Sequence, residues 1–286
     1  MNKHKQRIEI AKRLIVLPEE KKQVFRLALQ KKGINSWNLP IVPSPENPNG
    51  YPLSMSQRRI WFMEQYEEGS DQYNMPSAID FFGELDCEAL SRAFEKVVER
   101  HHILRTIYHQ ADSGAYQRVQ HSSGMDIPII DVPENSADWL AEKIKEITSQ
   151  PLPLSTHSPI NLHLFRHAKD HHTLLIIVHH IAFDDLSEQI LVQEVSHYYK
   201  AAVSGVPSDL KPLSIQYGDY AFWQREWEQG EEYQKQANYW CETLLANQEP
   251  LNLALDQKRG LLTERNIKQG VESLVLGSDQ YVRLQA

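Results

Sequence analysis

Cysteine is scarce in this chain: two among 286 residues, Cys87 and Cys241, far apart and outside any metal-ligand spacing. That excludes a disulfide framework and a cysteine-built metal site, and it suits a reducing compartment. Long apolar runs are missing too. None approaches the roughly 20 residues needed to cross a bilayer, and the basic N-terminus lacks the apolar core of a signal peptide. The expected location is the cytoplasm, without membrane contact. No cluster of lysine and arginine dominates the main body, and the formal net charge is −8. A phosphate-binding surface needs the reverse, so nucleic acid is excluded as a partner. What is present is a globular composition, 41% hydrophobic, sufficient for a sizeable core.

Residues 1–33 read as two helices, with Ile8, Ile10, Ala11, Leu14 and Ile15 apolar in the first and Val24, Phe25, Leu27 and Leu29 in the second. Pro18 opens the second and Gly33 stops it. A proline-rich connector from Leu39 to Pro45 follows, so residues 1–48 read as an appendage with its linker. From Tyr51 helices and strands alternate, predicting a main lobe over 49–246. Helices are expected over 54–66, 86–100, 138–148 and 185–203, with a long helical region over 215–245. Strands are expected over 77–83, around the turn Asp112-Ser113-Gly114, and over 160–168 and 172–180. Residues 247–270 lack periodicity and read as an extended crossing segment. Val271–Leu276 resembles a strand, and a helix opens at Ser278 and is cut short, so 247–286 reads as the crossing segment and the start of a second lobe.

The run Thr173–Val178 consists of strand formers without polar alternation, the pattern of a strand buried on both faces. It ends in His179 and His180. Successive strand side chains point to opposite faces, so the two imidazoles are expected to do different jobs. Asp185 is expected to cap the next helix, with Glu188 three residues on. Leu186, Ile190, Leu191, Val195, Tyr198 and Ala202 form that helix's apolar stripe. Taken alone, this heptad favours a hydrogen-bonded core histidine at 180. The chain has 13 histidines, including the pairs 101–102, 171–172 and 179–180. Adjacent strand histidines point apart and do not readily share an ion, so no metal is expected.

Four ordered motifs change the weight of that heptad. Ser54-Met55-Ser56-Gln57-Arg58-Arg59-Ile60-Trp61 is similar to S-x-A-Q-x-R-L-W, and Arg100-His101-His102-Ile103-Leu104-Arg105-Thr106-Ile107-Tyr108 to R-H-E-x-L-R-T-x-F. His179 to Asp185 is similar to H-H-x-x-x-D-G except at its last position, and Tyr217 to Trp223 to Y-x-D-Y-A-x-W throughout. Together they resemble the condensation domains of non-ribosomal peptide synthetases, from about residue 51 to 286. The resemblance implies a mixed α/β (α+β) two-layer sandwich, a chloramphenicol acetyltransferase-like lobe with only the start of the second lobe. It also implies an acyltransferase-type enzyme, in which an acceptor amine attacks a donor thioester.

By that resemblance His180 is catalytic, as general base or as a positioning partner for the amine, and His179 is supporting. Asp184 is structural, with an ion pair expected to Arg100 or Arg105 unless its partner lies in the second lobe. Arg59, Trp61, Tyr217, Asp219, Tyr220 and Trp223 are expected to be architectural. Asp185 replaces a glycine, which is expected to reduce or alter condensation. No cofactor of its own is implied, only the phosphopantetheine arms of upstream and downstream peptidyl carrier proteins, with an adenylation domain in the same assembly line. The basic residues Lys3, Lys5, Arg7, Lys12 and Arg13 make residues 1–33 either a docking element for an upstream synthetase or a solvated face packed on the main lobe. Two rivals stand beside this reading. One is an epimerase or CoA-dependent acyltransferase of the same superfamily, against which the motif at 217–223 speaks; the other is a non-catalytic module that binds carrier or tailoring proteins.

Overall fold

The computed structural model describes residues 3–45, 50–67, 69–112, 114–122, 124–133, 137–245 and 277–285. The expected crossing segment and the strand 271–276 lie outside them. In chain order the elements are α1 (Lys3–Ile15), α2 (Glu19–Lys31), β1 (Tyr51–Pro52), α3 (Met55–Tyr66), β2 (Asn74–Phe82), α4 (Cys87–Arg100), β3 (Thr106–Ala111) and β4 (Gly114–Val119). They continue with β5 (Ile129–Asp131), α5 (Ala137–Thr148), β6 (Ile160–Ala168), β7 (His171–His179), α6 (Asp185–Ser204), α7 (Tyr217–Trp227), α8 (Glu231–Leu245) and α9 (Ser278–Gln285). Two compact units result, Met1–Asn238 and Tyr239–Ala286.

The mixed α/β architecture expected from the sequence is present, built on two sheets. The larger runs β2-β7-β6-β5, with β7 antiparallel to both neighbours and β5 parallel to β6; the smaller is β1-β4-β3. Strand β7 lies at the centre of the larger sheet and is buried from His172 to His179, which is why its sequence shows no polar alternation. Its even positions Leu174, Ile176 and Val178 pack on Phe94 and Val97 of α4 and Leu191 and Val195 of α6. Its odd positions Leu175 and Ile177 pack with Phe165 and with Ile147 of α5. Helices therefore cover both faces of this sheet, and α5 adds a layer to the two expected.

Three expectations are corrected. The helical region 215–245 is two helices, broken before Gly230, where a Cβ would stand 2.5 Å from the Trp37 indole. In α6 only part of the expected stripe is covered: Leu191 and Val195 are buried, whereas Leu186 is 69% and Ile190 47% exposed. Leu191 lies about 100° round the helix from Ile190, on the side that α4 and the sheet reach. The N-cap of α6 is Asp184, not Asp185. Asp184 is the last extended residue, and its Oδ1 accepts from the Ser187 N–H at 2.8 Å and the Ser187 hydroxyl at 2.6 Å. The Ser187 hydroxyl, followed by its N–H, holds the Asp184 carboxyl below its ordinary value.

The N-terminal helix pair buries Ala11 and Leu29 with Leu39 and Val42 of the connector. It is keyed to α7 by charge: Lys22 Nζ and Arg26 each lie 2.9 Å from the Glu226 carboxylate. Arg26 also lies 4.4 Å over the Trp37 ring.

Two outcomes follow. Gly230→Val forces Trp37 out of its seat, so limited proteolysis should release residues 1–45 at least about tenfold faster while the main sheet stays protected, a cost of about 1–3 kcal/mol of overpacking. Asp184→Ala should lower the unfolding free energy at pH 7 by about 0.5–2 kcal/mol. Because the folded carboxyl titrates below its unfolded value of 3.8, this contribution is present above pH 3.8 and is lost as pH falls through the lower folded value. Urea denaturation at pH 7 and pH 3 checks both limbs.

Candidate active site

At the end of β7 the chain makes a two-bond turn into α6. The His180 N–H donates to the Tyr73 carbonyl at 2.8 Å and the Ala182 N–H to the His179 carbonyl at 2.9 Å. His179 is buried, 1% exposed. Its Nδ1 accepts from the Ile181 N–H at 3.1 Å, and its Nε2 lies 2.9 Å from Glu64 Oε1 on α3. His180 is exposed. Its Nδ1 donates to the Phe183 carbonyl at 2.7 Å, and its Nε2 has no partner among the described residues.

Asp184 forms no ion pair with Arg100 or Arg105. Arg100 is engaged by Glu194 of α6 at 3.0 Å and by the Lys211 carbonyl at 2.6 Å, and His101 reaches the same Glu194 at 2.7 Å. Arg105 donates to the Gln120 carbonyl. The reason is burial. Arg100 and Glu194 are 12% and 13% exposed, so their charges must be paired, while Asp184 is exposed and capped onto Ser187. Burial pushes the Tyr217 phenol up against its bond to Ser54, with smaller contributions from Tyr220 and then Asp184. Asp185 is the first helical residue of α6 and exposed. A helical backbone needs no glycine there, and a carboxylate suits a helix N-terminus.

The first and fourth motifs meet each other rather than the histidines. Ser54 caps α3 in a reciprocal box with Gln57, and its hydroxyl lies 3.0 Å from the Tyr217 phenol. The Met55 N–H donates to Gln224 at 2.7 Å. Gln57 is 1% exposed and donates to Tyr108 and Gln117. Asp219, also buried, accepts from the Ser44 N–H at 2.8 Å, its hydroxyl at 2.7 Å and the Gln216 N–H at 2.7 Å. Tyr220, Trp223 and Trp227 stack in succession at 6.0 and 6.3 Å between ring centres. Trp61 donates to Gln110 at 3.4 Å. Arg59 is exposed and makes no polar contact among the described residues. Glu64 and Glu194 did not emerge from the sequence, since each is an ordinary helix-surface glutamate until its partner strand or helix is placed beside it.

The condensation-domain family model matches residues 47–282. Nonribosomal peptide synthetase kk1B of Curvularia clavata is 36% identical over 235 residues, covering 82% of this chain and 2% of that protein. Tyrocidine synthase 3 of Brevibacillus parabrevis is 35% identical over 209 residues, covering 73% and 3%. The chain thus spans a few per cent of these relatives and about half of the similar solved structures. Among the latter, the X-domain bound to OxyB from teicoplanin biosynthesis has a TM-score of 0.69 at 26% identity, covering 77% of this chain and 49% of that one. The first condensation domain of the calcium-dependent antibiotic synthetase, bound to a substrate analogue, has a TM-score of 0.62 at 20% identity, covering 70% and 49%, a likeness of fold. With a match over most of its length and relatives above 30% identity, the chain belongs to the condensation-domain family of non-ribosomal peptide synthetases.

Proposed function

We propose that this chain provides the histidine-bearing half of an amide-forming condensation site. In that reaction the acceptor amine attacks the donor acyl or peptidyl thioester carbonyl: a C–N bond forms, the C–S bond breaks, and the amine proton leaves. The observation that carries the reading is the state of His180. A carbonyl oxygen can only accept, so the contact with Phe183 puts the proton on Nδ1 and leaves the Nε2 lone pair available at an exposed strand end. His180 Nε2 then takes the amine proton or orients the amine, and the proton passes on to the departing thiolate. Such a group supplies about 10²- to 10⁴-fold; holding two thioesters together supplies most of the rest.

His179 has the opposite tautomer. Its Nδ1 accepts a backbone N–H, so its proton sits on Nε2 and is donated to Glu64. Both nitrogens are used in a buried ring, which leaves His179 no free nitrogen to offer a substrate and makes Glu64 a positioning residue for the turn that carries His180. The partners of this reading are carrier proteins on either side, their phosphopantetheine arms, and an adenylation domain of the same assembly line. A docking role for residues 1–33 draws support from Val24 and Leu27, 68% and 54% exposed on α2. No helix among the described residues is long and apolar enough to cross a membrane.

A second reading, a protein-recruiting module, draws support from Asp185 and from the higher TM-scores of the X-domain structures, 0.69 and 0.68 against 0.60–0.64 for the condensation domains.

Amide formation measured in the synthetase that carries this chain, with both carrier proteins loaded, separates the two. His180→Ala should lower turnover about 100-fold or more, and turnover indifferent to it removes the condensation reading; turnover unchanged in Asp185→Gly removes the support that Asp185 lends to the second. Glu64→Ala leaves the His179 Nε2–H buried without an acceptor, at a cost of about 1–3 kcal/mol. It should lower kcat with little change in KM, and Glu64→Gln, which keeps an acceptor oxygen, should restore most of the loss.

A further inference from the structure

At the far end of β7 from His180, three side chains from three neighbouring strands converge. They are Asp80 of β2, His167 of β6 and His171 of β7, and one potential ligand atom from each lies within 4.8 Å of the others. The convergence follows from register. Asp80 pairs with Thr173, placing its carboxylate on the face of β7 that also carries His171. In β6 the pairing slips between Arg166 and Ala168, and such a bulge re-aims the residue inside it. His167 is that residue, and its ring stacks on His171 at 4.2 Å and 13°.

The three side chains are also linked through shared contacts. His171 is sandwiched, with Phe82 stacked on it at 4.7 Å and 17°. The Thr173 hydroxyl donates to Asp80 Oδ1 at 2.5 Å and accepts from His167 Nε2 at 2.8 Å. His171 Nε2 stands 4.0 Å from the same Asp80 oxygen. The side chains of His171 and Asp80 are 34% and 56% exposed, so an ion can enter from solvent.

We propose that Asp80, His167 and His171 bind one divalent transition-metal cation that clamps the ends of β2, β6 and β7. Two imidazoles and a carboxylate are the ligand set of zinc, with water or the Thr173 hydroxyl as fourth ligand. Ligand bonds of about 2.0–2.2 Å put neighbouring ligand atoms about 3.4 Å apart. From 4.8 Å the side chains therefore close by up to about 1.4 Å, through χ rotations that turn the two imidazoles out of their stack so that both lone pairs meet the ion. The eight steps from His171 to His179 span about 27 Å at about 3.4 Å per residue, so the ion is a structural clamp and takes no part at His180. The bar to metal binding by adjacent histidines does not apply, because each ligand here comes from a different strand.

The test is a titration of the chelator-stripped chain with Zn²⁺ by calorimetry, repeated with Co²⁺ to follow its visible absorption. One site with a dissociation constant of about 10 µM or tighter is expected, with affinity at least about tenfold weaker in His171→Ala and in Asp80→Asn. His121→Ala, an exposed histidine elsewhere, should bind as the parent does. Zinc should raise the melting temperature of the parent and not that of His171→Ala. Circular dichroism confirms that both variants fold; the exposed His171 and the isosteric asparagine are chosen to keep the sheet intact. Weaker binding by the parent, or a loss under tenfold in these two variants, overturns the site.

Discussion

From Thr173 to His179 strand β7 is covered on both faces, and a polar side chain there needs an internal partner. That constraint on β7 organises the rest of the molecule. Leu174 to Val178 satisfy it by being apolar, and their two faces dictate that α4 and α6 lie on one side and α5 on the other. His179 satisfies it by spending both ring nitrogens, one on a backbone amide and one on Glu64. Only past the last paired residue is the constraint lifted, and that is where His180 meets solvent. The exposed imidazole is thus placed by where burial ends.

Two neighbouring imidazoles consequently hold opposite tautomers without any difference in intrinsic chemistry. A carbonyl beside Nδ1 makes one ring an acceptor at Nε2; an amide beside Nδ1 makes the other a donor there. The same turn that creates this difference also starts α6, since Asp184 closes the first turn through Ser187. The geometry of the two histidines and the initiation of α6 thus share one turn.

Much of this was legible in the chain itself. The unbroken run of strand formers in β7, period 3.6 in α4 with Leu90, Ala93, Phe94, Val97 and Val98 all buried, and the spacing of four motifs located the strand, its helices and its terminal histidines. The cap of α6 was misplaced by one residue because Asp184 and Asp185 are chemically alike, and only backbone angles distinguish the last extended residue from the first helical one. The break at Gly230 was hidden because its cause, the Trp37 ring, lies nearly two hundred residues away in sequence. The same holds for Glu64 and Glu194, whose roles arise from partners on other elements. The expected pairing of Asp184 with Arg100 or Arg105 failed for the complementary reason: Glu194 is the better buried carboxylate and takes Arg100 first.

The bond from Ser44 to Asp219 gives the connector a mechanical meaning. Its end is fastened to the first turn of α7 by two hydrogen bonds to one buried carboxylate oxygen, while the helix pair before it grips Glu226, two turns further along the same helix. Two anchorages on one rod leave no swivel. A load applied to the N-terminus is delivered to α7 as torque, and α7 carries the Tyr217 phenol that meets Ser54 at the head of α3. Since α3 also holds Glu64, the lever ends at the hydrogen bond that sets the histidine turn.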